Sequence, residues 1–208
     1  MANAVDHVLY ACSDLERGRD EIEQLLGVRP VIGGRHERFG THNALLSLGP
    51  GAYLEVVARD PALPVPAHGL LVDVAADQRS RLITWVLRVD DIGRSAEAAE
   101  RAGLGLGAVE PGQRETPDGK MIRWRLTDPY ANRRGGALPF LIDWGDTPHP
   151  SSVAPDAGRL DRLVIETPDA AAIRDACAVL DADVDVREGP TFGLRATIAT
   201  PSGPVELC

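Results

Sequence analysis

One succession of elements, a strand, a helix and three further strands, recurs along the chain. The first run is "DHVLYACSDL", the helix "ERGRDEIEQLLG", then strands around "RPVIGG", "NALLSLG" and "AYLEVVA". The second is "ITWVLRVDDI", "GRSAEAAERAGL", "GAVEPGQ", "MIRWRLTD" and "LPFLIDW". A third, shorter run is "LDRLVIETPD", "AAAIRDACAVLDA", "DVDVREG", "LRATIAT" and "PVELC". A repeat of this size is one supersecondary unit that cannot bury its apolar faces alone, so the copies must pack on one another. The order predicts an α+β protein of repeated βαβββ modules.

Local signals bound the modules. Ser13/Asp14, Asp90/Asp91 and Asp169 stand before the apolar helical periods, where a side-chain oxygen accepts from first-turn N–H groups. Gly27 and Gly103 are placed to end their helices. "DPALPVPAHGL" and "GDTPHPSSVAPDAG" read as proline-rich connections. The expected division is module 1 over 1–60, a linker over 61–80, module 2 over 81–146, a linker over 147–158, and a shorter module 3 over 159–208.

Composition narrows the partners. With a formal net charge of −9 the chain lacks the basic face that nucleic acid or an anionic membrane surface requires. Cys12, Cys177 and Cys208 are widely spaced and match neither a disulfide framework nor a zinc ribbon, so they are expected to be reduced. No run reaches the roughly 18 apolar residues of a membrane span, and "MANAVDHVLYAC" has no export signal. A cytoplasmic protein, monomer or homodimer, is expected.

Within "AYLEVVA", alternation sets Leu54, Val56 and Ala58 on one face and Tyr53, Glu55 and Val57 on the other, which leaves a carboxylate among apolar neighbours. Burying a carboxylate needs a partner, a proton or a metal. His7, on the first strand, shares the parity of Leu9 and Ala11 and faces inward. Other chemistries find little support. There is no GxSxG elbow; "GLGLGAVEPG" follows a helix and so fails the context of a phosphate loop; Cys12 lacks an identifiable base.

Taken together, "DHVLYACSDL", "GTHNALLSLG", "YLEVVARDP", "TWVLRVDD", "RWRLTD" and "PFLIDWGDTPHP" strongly resemble the glyoxalase-like proteins of the vicinal oxygen chelate superfamily. The resemblance spans essentially the whole chain. It implies two modules curled into a U-shaped mixed sheet around a pocket, with metal ligands, where present, on the first and last strands of each module. It points to a lyase or isomerase acting on a small anionic, oxygen-rich metabolite, or to a non-catalytic protein that sequesters a small molecule.

Carried onto this sequence, the resemblance makes His7 and Glu55 the candidate catalytic pair. Superposing the repeats sets Trp85 at the His7 position and Leu141 at the Glu55 position of the second module, and Arg162 and Glu206 at those of the third. A divalent metal would therefore rest on His7, Glu55 and Glu206; the alternative is no cofactor, with Glu55 paired to His7 or to an arginine. Trp85 is expected in the pocket. Arg123 and Arg125 share one face of "MIRWRLTD" and match Leu45 and Ser47, so they either line the pocket as anion donors or form a solvated edge. His36 and Asn43 are expected to touch ligand, whereas His42 faces out and His68 and His149 are structural or exposed.

Overall fold

The computed structural model describes residues 3–116, 119–131 and 133–208. Module 1 comprises β1 (Ala4–Ala11), α1 (Leu15–Leu26), β2 (Val31–His36), β3 (Thr41–Ser47) and β4 (Tyr53–Arg59). Module 2 comprises β5 (Arg81–Arg88), α2 (Ile92–Arg101), β6 (Val109–Glu115), β7 (Met121–Thr127) and β8 (Phe140–Asp143). The third unit is β9 (Arg159–Thr167), α3 (Ala170–Val179), β10 (Asp185–Glu188), β11 (Gly193–Thr200) and β12 (Gly203–Leu207). All three units thus keep the β-α-β-β-β order.

The helix termini follow the sequence signals. Asp14 accepts from the Arg17 N–H at 2.9 Å and Asp91 from the Arg94 N–H at 3.0 Å. Asp169 precedes α3 without capping it through its side chain, and pairs instead with Arg134 at 2.5 Å. Gly27 ends α1 at φ 76°, a conformation glycine adopts without strain. Helix α1 lays Leu15, Gly18, Ile22 and Leu26 on the sheet. Its Gly18 admits close approach: a Cβ there would lie 2.9 Å from Val56 Cγ1.

Modules 1 and 2 share an eight-stranded sheet in the order β2-β3-β4-β1-β5-β8-β7-β6. In each half the last strand lies parallel to the first, β4 beside β1 and β8 beside β5, and β1 meets β5 antiparallel at the centre. The sheet curls until its two edges meet. Arg114 on β6 donates to the Gly33 carbonyl on β2, and Arg38 pairs with Glu110 over the same seam. The outer face carries Val8, Leu54, Val56, Trp85 and Leu87, and the inner face carries Leu9, Tyr53, Val57, Val86, Phe140 and Ile142.

The third unit departs from the repeat in its pairing. Its four-stranded sheet runs β10-β9-β11-β12, so β9 has β10 and β11 as neighbours and the last strand lies at an edge. Position-by-position superposition on module 1 therefore fails. The unit nonetheless belongs to the same folded body, because Leu163, Ile165, Ile173, Ala176 and Ile198 share one core with Val8, Leu54 and Trp85. The Leu82 N–H also donates to the Cys208 carbonyl at 3.0 Å.

The proline-rich stretches do more than connect. Leu71 and Val72 of the first pack against the inner face, and the Tyr130 hydroxyl donates to the Gly69 carbonyl at 3.1 Å. The second makes a single 3-10 turn at Pro150–Ser152 against module 1, where Gly51 N–H donates to Ser151 Oγ at 3.0 Å. Among the described residues no helix is long and apolar enough to cross a membrane.

Candidate functional site

The inward residues of β1 and β4 begin the site. In the parallel register His7 lies opposite Tyr53 and Leu9 opposite Glu55, so the imidazole and the carboxylate project into one space inside the curl. His7 Nε2 is 3.4 Å from Glu55 Oε2, and the other carboxylate oxygen accepts from Asn43 Nδ2 at 2.7 Å. Asn43 is fixed by β3, and a Cβ on the facing Gly33 would collide with its Oδ1.

Behind the pair stands Asp6, wholly buried. Pairing of β1 with β5 slips between Val5 and His7, so Asp6 is the extra residue of a β-bulge, a device that re-aims a side chain. Its carboxylate accepts from His7 Nδ1 at 2.6 Å, from His149 Nε2 at 3.0 Å and from Trp144 Nε1 at 3.0 Å. His149 Nδ1 in turn accepts from the Ser151 N–H at 3.2 Å. The Tyr53 ring stacks on His7 with centroids 4.4 Å apart.

Burial and pairing set the charges. Desolvation alone would lower the His7 pKa, but hydrogen bonds to Asp6 and Glu55 outweigh it and raise it to about 9. Burial pushes Glu55 and Asp6 up, yet their histidine partners prevail and hold each at about 2. At neutral pH His7 is an imidazolium between two carboxylates. His36 is driven down by burial; its Nδ1 lies 3.3 Å from Thr41 Oγ1 and 4.0 Å from Glu55 Oε1.

His7, His36 and Glu55 line a chamber of about 60 Å³, with Leu9, Val57, Phe140 and Ile142 among its apolar walls. That volume holds roughly two waters. Arg114 brings a second cation beside the His7 imidazolium; it is 8% exposed, burial lowers its pKa, and it lies within the electrostatic reach of Tyr53 and Glu55.

Arg123 and Arg125 do share a face, but it is not the chamber's: both are exposed and border the larger groove outside it. Register pairs Leu126 with the inward Ile142 and Arg125 with Asp143, so Ile122, Trp124 and Leu126 turn inward while the exposed Arg125 binds the buried Asp143 at 2.5 Å. Burying three apolar side chains is cheaper than desolvating two guanidinium groups. Trp85 likewise faces the outer core, fully buried, with its Nε1 donating to the Ala137 carbonyl at 3.0 Å. The true counterpart of His7 is Val86, which lies opposite Phe140 as His7 lies opposite Tyr53, and Glu55 corresponds to Ile142. A one-residue slip in superposing the strands exchanges the faces.

His7, Glu55, His36 and Asn43 are brought together, but Glu206 is not. It sits on the edge strand β12, half-exposed and bound to Arg195 at 3.1 Å, while Arg162 pairs with Asp185. A divalent metal of the kind the resemblance implies does not fit this donor set. His7 and Glu55 face Val86 and Ile142, which carry no donors, and among the described residues no group of three or more His, Cys, Asp or Glu could hold an ion. Asp6, Tyr53, Arg114 and His149 were missed as site residues. The signals present were the adjacency of Asp6 to His7 and the shared strand face of Tyr53 and Glu55.

A family model described as "Glyoxalase-like domain" matches residues 5–180. A hypothetical protein from Staphylococcus aureus aligns over 98% of both chains with a TM-score of 0.65 at 13% identity, a likeness of fold alone. A variant of the Streptomyces coelicolor methylmalonyl-CoA epimerase, in complex with 2-nitronate-propionyl-CoA, gives a TM-score of 0.46 at 20% identity over 72% of this chain and 100% of its own. The Mycobacterium tuberculosis epimerase gives 0.44 at 21% identity over 68% and 87%. Among curated proteins no match is found.

Proposed function

The chain belongs to the glyoxalase-like domain family, and from that premise we propose that it is a lyase- or isomerase-type enzyme that moves a proton next to a carbonyl in a small anionic, oxygen-rich substrate. The observation that carries this is the buried Glu55–His7 pair, 3.4 Å apart at the wall of a chamber and oriented from behind by Asp6. A substrate carbonyl entering between them receives the His7 Nε2–H as its oxygen gains negative charge. Glu55 then accepts the proton from the adjacent carbon and returns it, so the bond breaks and re-forms without redox change. Losing the imidazolium to the substrate leaves Glu55 with Asn43 alone and raises its basicity. Arg114 supplies donors for the substrate's carboxylate.

The test is deuterium uptake from D2O into a panel of short 2-oxo acids, followed by proton NMR. Exchange at the carbon next to the carbonyl in the wild type, abolished in Glu55→Gln with Kd little changed, supports the reading. Binding without exchange for every acid would favour the second reading, a protein that sequesters its ligand. One observation speaks for that alternative: Glu55 held at about 2 is a weak base until its partner turns away.

A further inference from the structure

Outside the small chamber lies a groove of about 1510 Å³, bounded by β2, β6, β7 and the segment after β8. The two spaces adjoin, since Leu45, Arg114, Trp124 and Trp144 line both. The groove gathers side chains that a folded surface ordinarily hides: Val31 is 44% exposed, Ile32 39%, Met121 43% and Val153 81%. Among the described residues, the other exposed large hydrophobic side chains are Leu25, Val65 and Val179, and none of these lines the groove. Apolar surface predominates in the groove, although Lys120, Arg123, Arg125, Asp143 and Asp146 also border it, and exposed apolar surface gathered in a cleft marks a binding site.

We propose that the groove holds the apolar tail of an amphipathic ligand, a carboxylate bearing an extended acyl or aryl chain, whose oxyanion head enters the chamber. The assignment of the head rests on the function proposed above; that of the tail rests on the groove's exposed residues and its continuity with the chamber. A space for roughly two waters takes a carboxylate and one neighbouring carbonyl at most, so anything longer must extend past Trp124 and Trp144. Beyond them Ile122, Ile32 and Met121 offer hydrocarbon.

Isothermal titration calorimetry with 2-oxo acids of four, six, eight and ten carbons, below their critical micelle concentrations, tests the idea on the full chain. Burial of each added methylene is worth about 0.8 kcal/mol, so Kd should fall by up to about fourfold per carbon. Ile32→Asp and Val153→Asp, both at exposed positions, should flatten that series. A flat series in the wild type, or an undiminished slope in both variants, overturns the proposal. Primary alcohols of equal length that bind as tightly as the acids would refute the anionic head while supporting the apolar tail. Sedimentation equilibrium adds the rival occupant: a dimer that either variant converts to monomer would make the groove a subunit interface and overturn the proposal.

Discussion

In the first half of the large sheet His7 lies beside Tyr53, with Glu55 two residues further along β4; in the second half Val86 lies beside Phe140, with Ile142 two residues further along β8. The backbone is the same and the chemistry is opposite. One wall of the chamber is an ionised network of Asp6, His7 and Glu55, and the facing wall is hydrocarbon. One βαβββ backbone thus accepts inward residues of opposite chemistry at equivalent positions. The apolar wall also matters to the polar one, because a low-polarity surround strengthens every hydrogen bond that the network makes.

The largest effect should come from breaking the polar wall at its base. Asp6→Ala leaves the His7, His149 and Trp144 donors without their shared acceptor, and removing one partner of a buried charge pair typically destabilises by about 3–5 kcal/mol. Urea denaturation measures it, and a loss under about 1 kcal/mol would mean that the network relaxes around the gap.

Next, the walls can be made alike. Val86→His with Ile142→Glu places a second imidazole and carboxylate opposite the first, and without metal the unpaired groups should lower stability by about 2–4 kcal/mol. After dialysis against zinc, nickel or manganese, mass spectrometry should find near-stoichiometric metal in the double variant and substoichiometric metal in the wild type. Tight metal in the wild type would contradict the two-donor reading.

Arg114→Met removes the cation at the seam and should weaken anion binding by about 1.5–3 kcal/mol, the range for hydrogen bonds to charged groups. The same change at Arg123, which borders the groove but not the chamber that takes the oxyanion, should alter binding of a short acid by less than about 0.5 kcal/mol. Equal effects at the two positions would put both faces of the sheet in the site. Trp85→Phe, on the reverse of the apolar wall, should reduce stability by about 1–2 kcal/mol through the lost bond to Ala137 and the smaller ring. Calorimetric Kd values should not move.

The pH profile reads the charges of the polar wall directly. The His7 pKa is raised from 6.5 to about 9, so its contribution is complete below 6.5 and disappears as pH rises through 9. Glu55 is lowered from 4.5 to about 2, so its contribution is complete above 4.5 and is lost as pH falls toward 2. Melting temperature should be flat between pH 4.5 and 6.5 and fall, by roughly 2–4 °C per kcal/mol, as pH rises from 6.5 to about 9. In Glu55→Gln the alkaline fall should end at lower pH and be smaller, because His7 keeps only Asp6.

By itself the sequence determined the element order, the capping of α1 and α2, the outward and inward faces of β4, and the meeting of His7, Asn43 and Glu55. These rest on local chemistry: the two-residue period of a strand, the 3.6-residue period of a helix and the hydrogen-bonding habits of aspartate and glycine. The remainder depends on which strands pair and in what register. The bulge at Asp6 turns that carboxylate behind His7; the register of β5 puts Val86, not Trp85, on the chamber wall; the pairing of β7 with β8 sends Arg123 and Arg125 to solvent. Closure of the curl brings Arg114 to the chamber from a strand at the far edge of the sheet, and the altered strand order of the third unit carries Glu206 away. A strand's period of two is written in its residues, but its phase against a neighbour is set by contacts between segments far apart in the chain, and a slip of one residue there reverses every face.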